Sequence, residues 1–470
     1  MDKLSFFRYC HLATDKQIAV IVFMICIALR IAPELQAYPY PIGYDVVNYY
    51  IPKVVNFHQQ WGEISKQFPL YVILLYSLSA ASMLPASVVV TSVAVAIAGV
   101  FGLSLFYIGR TLLNLRIIQS LFLAIFTVFQ MSVLRTFWDL HRDVLALAAM
   151  LFVFSLLGKR EMSWKVLSIA LTLTAITVAA DRMIGALFCL SIVTYFIITR
   201  RKEVALTAVV AISLFSIIMV ASHQLSYTNA NINTSEASKS DTPNFYSQRN
   251  LLAYFLVANC LVVVPAAVGF LRMHNSLLKI PLIISLAGSF SWLIFSENNL
   301  FAPDRWIILT SIFFSIFAGF GILYLVNKLQ PNLSVIVACL ILTPYIVIGL
   351  AYALMPYDTP FVLYSVLQNY IMNFAPASMQ FNSVDIEDND NLFSVIEEIN
   401  ENTDHNAIIV GSPHFRGFME LYLKDDRIYH YSNDPRGLAT SLEEQGYAVY
   451  LIVAEGDPQT TFRIENVQKR

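Results

Sequence analysis

The sequence carries little charge for its length. Of its 470 residues, 13% are charged and 57% are hydrophobic, and the mean hydropathy is +0.62. Soluble domains have about 25% charged and about 45–50% apolar residues, so a water-soluble chain of this length is excluded. Because one core cannot bury so much apolar surface, the composition predicts a polytopic α-helical membrane protein.

A basic excess, paired cysteines and metal-binding spacings are missing as well. The formal net charge of −2 argues against nucleic acid as a partner, because no cationic excess exists to neutralise phosphates. The five cysteines lie in or beside apolar runs without a C-x-x-C pair, which predicts small core residues and no disulfide frame or zinc site. The eight histidines form no H-E-x-x-H motif. The cofactor stays unknown: a divalent cation is left open, and no motif requires one.

Long apolar runs predict about eleven membrane crossings, since a span needs roughly 20 mostly apolar residues. The predicted spans are 17–35, 87–109, 117–134, 143–158, 165–180, 183–199, 204–222, 251–271, 280–296, 305–326 and 333–354. A further run, 68–84, is interpreted as a juxtamembrane or re-entrant helix, because the short basic loops then all fall on one side. This places the amino terminus in the cytoplasm and the carboxyl tail outside a multi-pass plasma-membrane protein. No cleavable signal peptide is evident.

The composition changes after residue 385, where apolar strand runs alternate with helical patterns. We therefore expect a transmembrane domain over 1–355 with an external loop at 36–86, a linker at 356–384, and a small external α/β domain at 385–470. Within that domain the expected helices are 392–399, 415–423 and 438–445, and the expected strands are 407–410, 427–431 and 448–453.

Asp45 follows the first span, among the tyrosines Tyr44, Tyr49 and Tyr50. A carboxylate that is partly buried beside a membrane surface has the desolvation that general bases need. Asp is also a favoured helix N-cap, so a capping role and a catalytic role both stay open for Asp45.

A second polar stretch, 135–143, places five ionisable groups within nine residues. Polar groups near membrane depth usually line a cavity or pathway, which favours a functional role for Asp143, with Arg142 as its partner or as a phosphate ligand. Asp139 and His141 are candidate substrate or cation ligands in the same stretch. The alternative is an interfacial belt with Trp138 at the headgroup level.

Four other charged residues lie on the predicted external side. Asp181 and Arg182 join two short apolar segments, which indicates either a recessed site or a salt bridge at a turn. Arg305 begins a late span and Lys66 precedes the juxtamembrane helix. Both are candidate phosphate ligands, and lipid-headgroup anchoring is the alternative for each.

Together these motifs resemble the GT-C superfamily of integral-membrane glycosyltransferases, in particular its protein O-mannosyltransferase and aminoarabinose-transferase-like branches. The motifs that carry the resemblance are Gly43-Tyr44-Asp45, Phe68-Pro69-Leu70-Tyr71, Gly109-Arg110-Thr111-Leu112, His141-Arg142-Asp143 and Asp304-Arg305-Trp306. They are spread over 15–355, and each is degenerate by itself. The chain departs from the family pattern in having a single proline at 69 and in having Arg142 directly before Asp143.

The resemblance implies a polyprenyl-phosphate-linked sugar donor, a lipid, glycan or protein acceptor, and transfer on the external face. It implies an inverting attack with Asp45 as base and Asp143 orienting a substrate. Arg305 and Arg182 would hold the phosphate, with Lys66 or Arg142 as further candidates. If a metal takes part, its candidate ligands are Asp45, Asp143 and His141. A polysaccharide ligase or polymerase that uses a lipid-linked oligosaccharide, a secondary transporter and a pure binding protein are the alternatives.

Overall fold

The structure is a computed structural model. It describes residues 14–43, 45–66, 68–159, 162–227, 252, 255–256, 259–293, 303–354, 388–412, 415–424, 427–432, 434–455 and 461–467. The helices of the membrane part are α1 (Asp15–Ala37), a π-helix (Val46–Tyr50), α2 (Ile51–Val55), α3 (Trp61–Ile64), α4 (Leu70–Ser82), α5 (Ala86–Tyr107) with a π-turn (Ile108–Leu112), α6 (Ile117–Val128), α7 (Met131–Asp139), α8 (His141–Leu157), α9 (Trp164–Ala180), α10 (Arg182–Thr199), α11 (Lys202–Tyr227), α12 (Val263–Arg272), α13 (Ser276–Ser289), a 3-10 turn (Ser291–Leu293), α14 (Pro303–Val326) and α15 (Pro331–Leu354).

The predicted class, a polytopic α-helical membrane protein with a small C-terminal α/β domain, is confirmed. Among the described residues, six helices are long and apolar enough to cross a membrane alone, and shorter apolar helices accompany them. This is roughly compatible with the eleven crossings expected. Arg305–Val326 is 83% buried within the protein and Leu333–Leu354 only 6%, so α14 lies at the centre of the bundle and α15 at its lipid-facing edge.

The span predicted at 117–134 is broken in the structure. Helix α6 ends at Val128, and α7 starts at Met131 with a bend of 66° between them. Between the two helices, the Gln130 amide donates a hydrogen bond of 2.8 Å to the Phe126 carbonyl. The bend directs α7 into the protein, where Trp138 is 1% exposed. Trp138 is therefore a core residue and does not lie in an interfacial belt.

Helices α12 and α14 approach each other through glycine. A Cβ atom on Gly269 would collide with the Phe317 carbonyl, and one on Gly321 would collide with the Pro265 carbonyl. Without a hydrophobic driving force between helices in lipid, such close backbone packing is what holds spans together. The contact fixes α14, and with it Arg305 near its N-terminal end.

The C-terminal unit is a four-stranded sheet with helices. Its elements are α16 (Asn389–Asn402), β1 (Ile408–Gly411), α17 (Arg416–Tyr422), β2 (Ile428–Tyr431), α18 (Pro435–Glu444), β3 (Val449–Glu455) and β4 (Thr461–Asn466). The strand order is β2-β1-β3-β4, in which β1 pairs in parallel with β2 and β3, and β4 is antiparallel to β3. The strands and helices expected from the sequence are present, and β4 is an addition. The expected linker, 356–384, lies outside the described residues, so the domain boundaries stay a prediction.

Candidate active site

Asp45 stands directly before the π-helix. Gly43 has a φ of 100°, a backbone conformation that favours glycine, and it turns the chain into this helix. The Asp45 side chain makes no capping hydrogen bond, and the residue is only half-buried. Its carboxylate is therefore not used as a helix cap. Single π-turns occur often at functional sites.

Two more carboxylates of this region lie at helix starts. Asp143 is in the first turn of α8 and is 6% exposed; Asp181 is 4% exposed and caps α10, accepting hydrogen bonds from the backbone N–H groups of Met183 (2.8 Å) and Ile184 (2.9 Å). The carboxyl groups of Asp143 and Asp181 are close enough for a hydrogen bond to each other. The short helices α9 and α10 thus meet at a buried acidic turn, which favours the recessed-site interpretation of Asp181.

Two arginines interact with these carboxylates. Arg305 interacts electrostatically with Asp45, Asp143 and Asp181, and Arg142 does so with Asp143 and Asp181. We call the five side chains the charged cluster: Asp45, Asp143, Asp181, Arg142 and Arg305. It draws on four separate parts of the chain: the segment before the π-helix, the start of α8, the α9–α10 turn and the start of α14.

Burial changes the pKa of the Asp45 carboxyl group. Burial raises the pKa of Asp45 above its ordinary value, although the positive charges of Arg305, Arg142 and Arg135 act in the opposite direction. Arg135 belongs to α7 and is 5% exposed. A carboxylate with a raised pKa is a better proton acceptor, which is what a general base requires.

Aromatic rings form one wall of the site. Tyr50 stacks on the His141 ring with centroids 5.2 Å apart, and meets Tyr71 edge-on at 5.1 Å. The Tyr71 hydroxyl is 3.3 Å from His141 Nδ1. His141 is 1% exposed, so the structure places it as a buried link between the π-helix, α4 and α8.

Two cationic side chains lie against the Tyr49 ring. Lys53 Nζ lies 4.1 Å from its centroid, the Arg142 guanidinium carbon lies 5.0 Å from it, and Arg142 Nη1 donates to the Tyr49 hydroxyl at 3.4 Å. The sequence analysis did not single out Lys53, which is 7% exposed. Burial lowers the pKa of Lys53 to about 8; Glu63 raises it, and Arg142 and Arg416 lower it further. Lys66, the lysine singled out from the sequence, lies half-buried in the turn after α3.

The remaining candidates are placed as follows. Arg182 is exposed at the start of α10, although Asp181 beside it is buried. Tyr44 and the Asp139 side chain lie outside the described part of the structure. Among the described residues, no group of three or more His, Cys, Asp or Glu side chains is arranged to hold a metal ion.

The side chains of the cluster are chemically suited to accepting a proton and to pairing with an anion. Asp45 can accept a proton, and Arg142 and Arg305 offer planar donors suited to a phosphate or a carboxylate. Arg142 and Arg305 lie near the N-terminal ends of the apolar helices α8 and α14.

No protein-family model matches this chain, and no curated protein matches it. Among solved structures, the chain is similar to the crystal structure of ArnT from Cupriavidus metallidurans in the apo state, with 13% sequence identity and a TM-score of 0.49. The similarity covers 93% of this chain and 91% of that chain. Similarity at this level assigns neither a reaction nor a residue role, so the function must be inferred from the site.

Proposed function

We propose that the protein is a glycosyltransferase of the GT-C type, which moves a sugar from a polyprenyl-phosphate-linked donor to an acceptor on the external face of the plasma membrane. The observation that carries the proposal is the charged cluster. It combines a carboxylate that makes no helix-capping hydrogen bond with two arginines near the N-terminal ends of apolar helices. Charges near membrane depth are costly and usually serve a function.

The surroundings of the cations support the choice of a polyprenyl-phosphate donor. Arg142 and Arg305 lie at the starts of α8 and α14, both of which are apolar along their length. In this proposal the donor phosphate lies at the two helix ends, and its polyprenyl chain extends from there to the lipid around the bundle, because α14 itself is packed within the protein. Lys53, beside Tyr49, adds a third cation to the same region.

In the proposed reaction, Asp45 takes the proton from an acceptor hydroxyl or amine. The acceptor atom attacks the anomeric carbon from the face opposite the phosphate. The bond from this carbon to the phosphate oxygen breaks, and the configuration inverts. The electron pair leaves on the polyprenyl phosphate, whose added negative charge Arg305 and Arg142 stabilise.

Asp143 and Asp181 have an orienting role in this proposal. Both are buried beside the arginines, and Asp181 is already fixed by two backbone N–H groups. A fixed carboxylate can accept hydrogen bonds from the sugar or the acceptor and hold it in line for attack. Tyr49 positions Arg142 through its hydroxyl group.

The test is transfer by the purified protein in a detergent–lipid mixture, supplied with a panel of radiolabelled polyprenyl-phosphate sugars. Wild type should transfer one of them, and Asp45→Asn should lose about 10²–10⁴-fold or more in rate, the usual contribution of a general base. Glu444→Gln, an exposed charge removal in the C-terminal unit, is the matched control and should retain the wild-type rate.

Other results would redirect the proposal. Substantial activity in Asp45→Asn would remove Asp45 as base. Tight binding of one donor without turnover would favour a binding protein, and preference for a lipid-linked oligosaccharide would favour a ligase or polymerase. Absence of any donor binding would favour a secondary transporter.

A further inference from the structure

The π-helix after Asp45 lies between two hydrophobic cores. Val46 and Tyr50, 0% and 1% exposed, belong to the core of the membrane part. Val47, also 0% exposed, packs instead among the hydrophobic residues of the C-terminal unit, which include Phe415 and Phe418. Consecutive residues of one turn are thus buried by two different parts of the chain.

Polar and backbone contacts also join the π-helix to the C-terminal unit. The Gly417 N–H, in α17, donates a hydrogen bond of 2.8 Å to Asn48 Oδ1. The backbones of Gly417 and Val47 also touch so closely that a Cβ atom on Gly417 would lie 2.5 Å from the Val47 carbonyl oxygen. Only glycine fits there without moving one unit away from the other.

A third contact lies just before the turn. The Tyr40 ring stacks on Phe393 of α16, with centroids 3.6 Å apart and an interplanar angle of 11°. The C-terminal unit therefore contacts the chain on both sides of Asp45, at Tyr40 and at 47–48.

We propose that the C-terminal domain is a positioning element for the catalytic base: through Gly417 and Asn48 it holds the π-turn that sets Asp45 opposite Arg142 and Arg305. The inference rests on the proposed function and deepens it. A π-turn is a rare conformation that persists where its surroundings impose it. Without the domain contact the turn can relax towards an α-helix, which would change the direction of the residue at its start. Asn48 and Gly417 are then positioning residues that touch no substrate.

The test is Gly417→Ala in the full-length protein, because the added methyl group must push α17 away from Val47. Misplacing a catalytic group by about 1 Å costs on the order of 100-fold in rate, so kcat should fall about 10- to 100-fold while the donor KM stays within about twofold. Gly62→Ala is the matched control, because a Cβ atom there meets nothing within 4 Å. Asn48→Ala, which removes the side-chain amide and with it the hydrogen bond from Gly417, should lower kcat by about fivefold.

A pH profile separates positioning from a merely structural role. A loosened turn exposes Asp45 to water, so its pKa should return towards the ordinary value, and the acid limb of kcat should move to lower pH in Gly417→Ala and Asn48→Ala. Backbone amide exchange over 45–50 should rise in the same two variants and stay unchanged in Gly62→Ala.

The outcomes distinguish the inference from the function on which it rests. An active wild type with equally active Gly417→Ala and Asn48→Ala variants would overturn the positioning role alone. If Gly417→Ala does not fold, Asn48→Ala decides by the same readouts. A wild type that transfers no sugar from any donor would overturn the proposed function, and this inference with it.

Discussion

The protein contains two groups of buried charged side chains, and they differ in where their residues come from in the chain. Arg30 and Glu34 lie one turn apart on α1, inside a membrane span, with Arg30 Nη2 2.6 Å from Glu34 Oε1 and exposed side-chain fractions of 0% and 8%. Arg30 Nε also donates to the Phe137 carbonyl at 2.8 Å. The charged cluster, in contrast, contains residues from four parts of the chain, and its carboxylates outnumber its arginines.

This difference indicates that the Arg30–Glu34 pair and the charged cluster have different roles. The Arg30–Glu34 pair is neutralised within one helix, and the hydrogen bond from Arg30 to Phe137 holds α7 against α1. The cluster keeps like charges together, since Asp143 lies beside Asp181 and both interact, as does Asp45, with the same Arg305. Such an arrangement costs stability and persists where it serves a function. Substitutions in the two groups should therefore separate activity from stability.

The largest expected effect is on activity, in Asp143→Asn. Because Asp143 is proposed to orient a substrate, its loss should lower the transfer rate on the order of 100-fold, while relief of the repulsion from Asp181 leaves the thermal denaturation midpoint unchanged or higher. Rates and denaturation curves of the same preparation check both parts, with Glu444→Gln as the control. A variant that is both active and less stable would place Asp143 with the structural charges.

The next effect is on stability, in Arg30→Met. This variant leaves the Glu34 carboxylate buried without its cation, and breaking a buried pair costs about 3–5 kcal/mol in free energy of unfolding. The double variant Arg30→Met/Glu34→Leu should regain most of that stability, because a well-packed apolar pair replaces both charges. Denaturation in detergent gives the order of stabilities. A stable double variant with activity as low as that of Asp143→Asn would instead assign the pair to the site.

Much of the fold follows from the sequence because burial in lipid demands long apolar runs, and these are visible directly. The strands at 407–410, 427–431 and 448–453 are apolar enough to detect as well. Strand β4 was missed because an edge strand such as Thr461–Asn466 alternates apolar residues with the charged Arg463 and Glu465. The break between α6 and α7 was missed because no proline lies there to signal it in the sequence.

Most residues of the charged cluster could be named from the sequence, and their contacts could not. Asp45, Asp143, Asp181 and Arg305 stand out because charge beside an apolar run is rare, and the same rarity could have revealed Arg30 within the first span. Lys53 gave no such signal, since a lysine between a proline and two valines just outside a span is an ordinary interfacial residue. Its place over the Tyr49 ring depends on the π-turn and α2, which no local pattern indicates.

The smallest expected effect concerns Lys53 and tests whether it belongs with the cluster. Its pKa of about 8 means that Lys53 is charged below this pH and loses its charge as the pH rises through it. If it binds the donor phosphate, the donor KM should rise about fivefold from about pH 7 to about pH 9, which corresponds to about 1 kcal/mol for one partly screened ion pair. Lys53→Arg keeps its charge over this range and should abolish the rise, whereas Lys66→Arg, the control, should leave it in place. A rise that persists in Lys53→Arg would separate Lys53 from donor binding, and one that disappears in Lys66→Arg would restore the lysine singled out from the sequence.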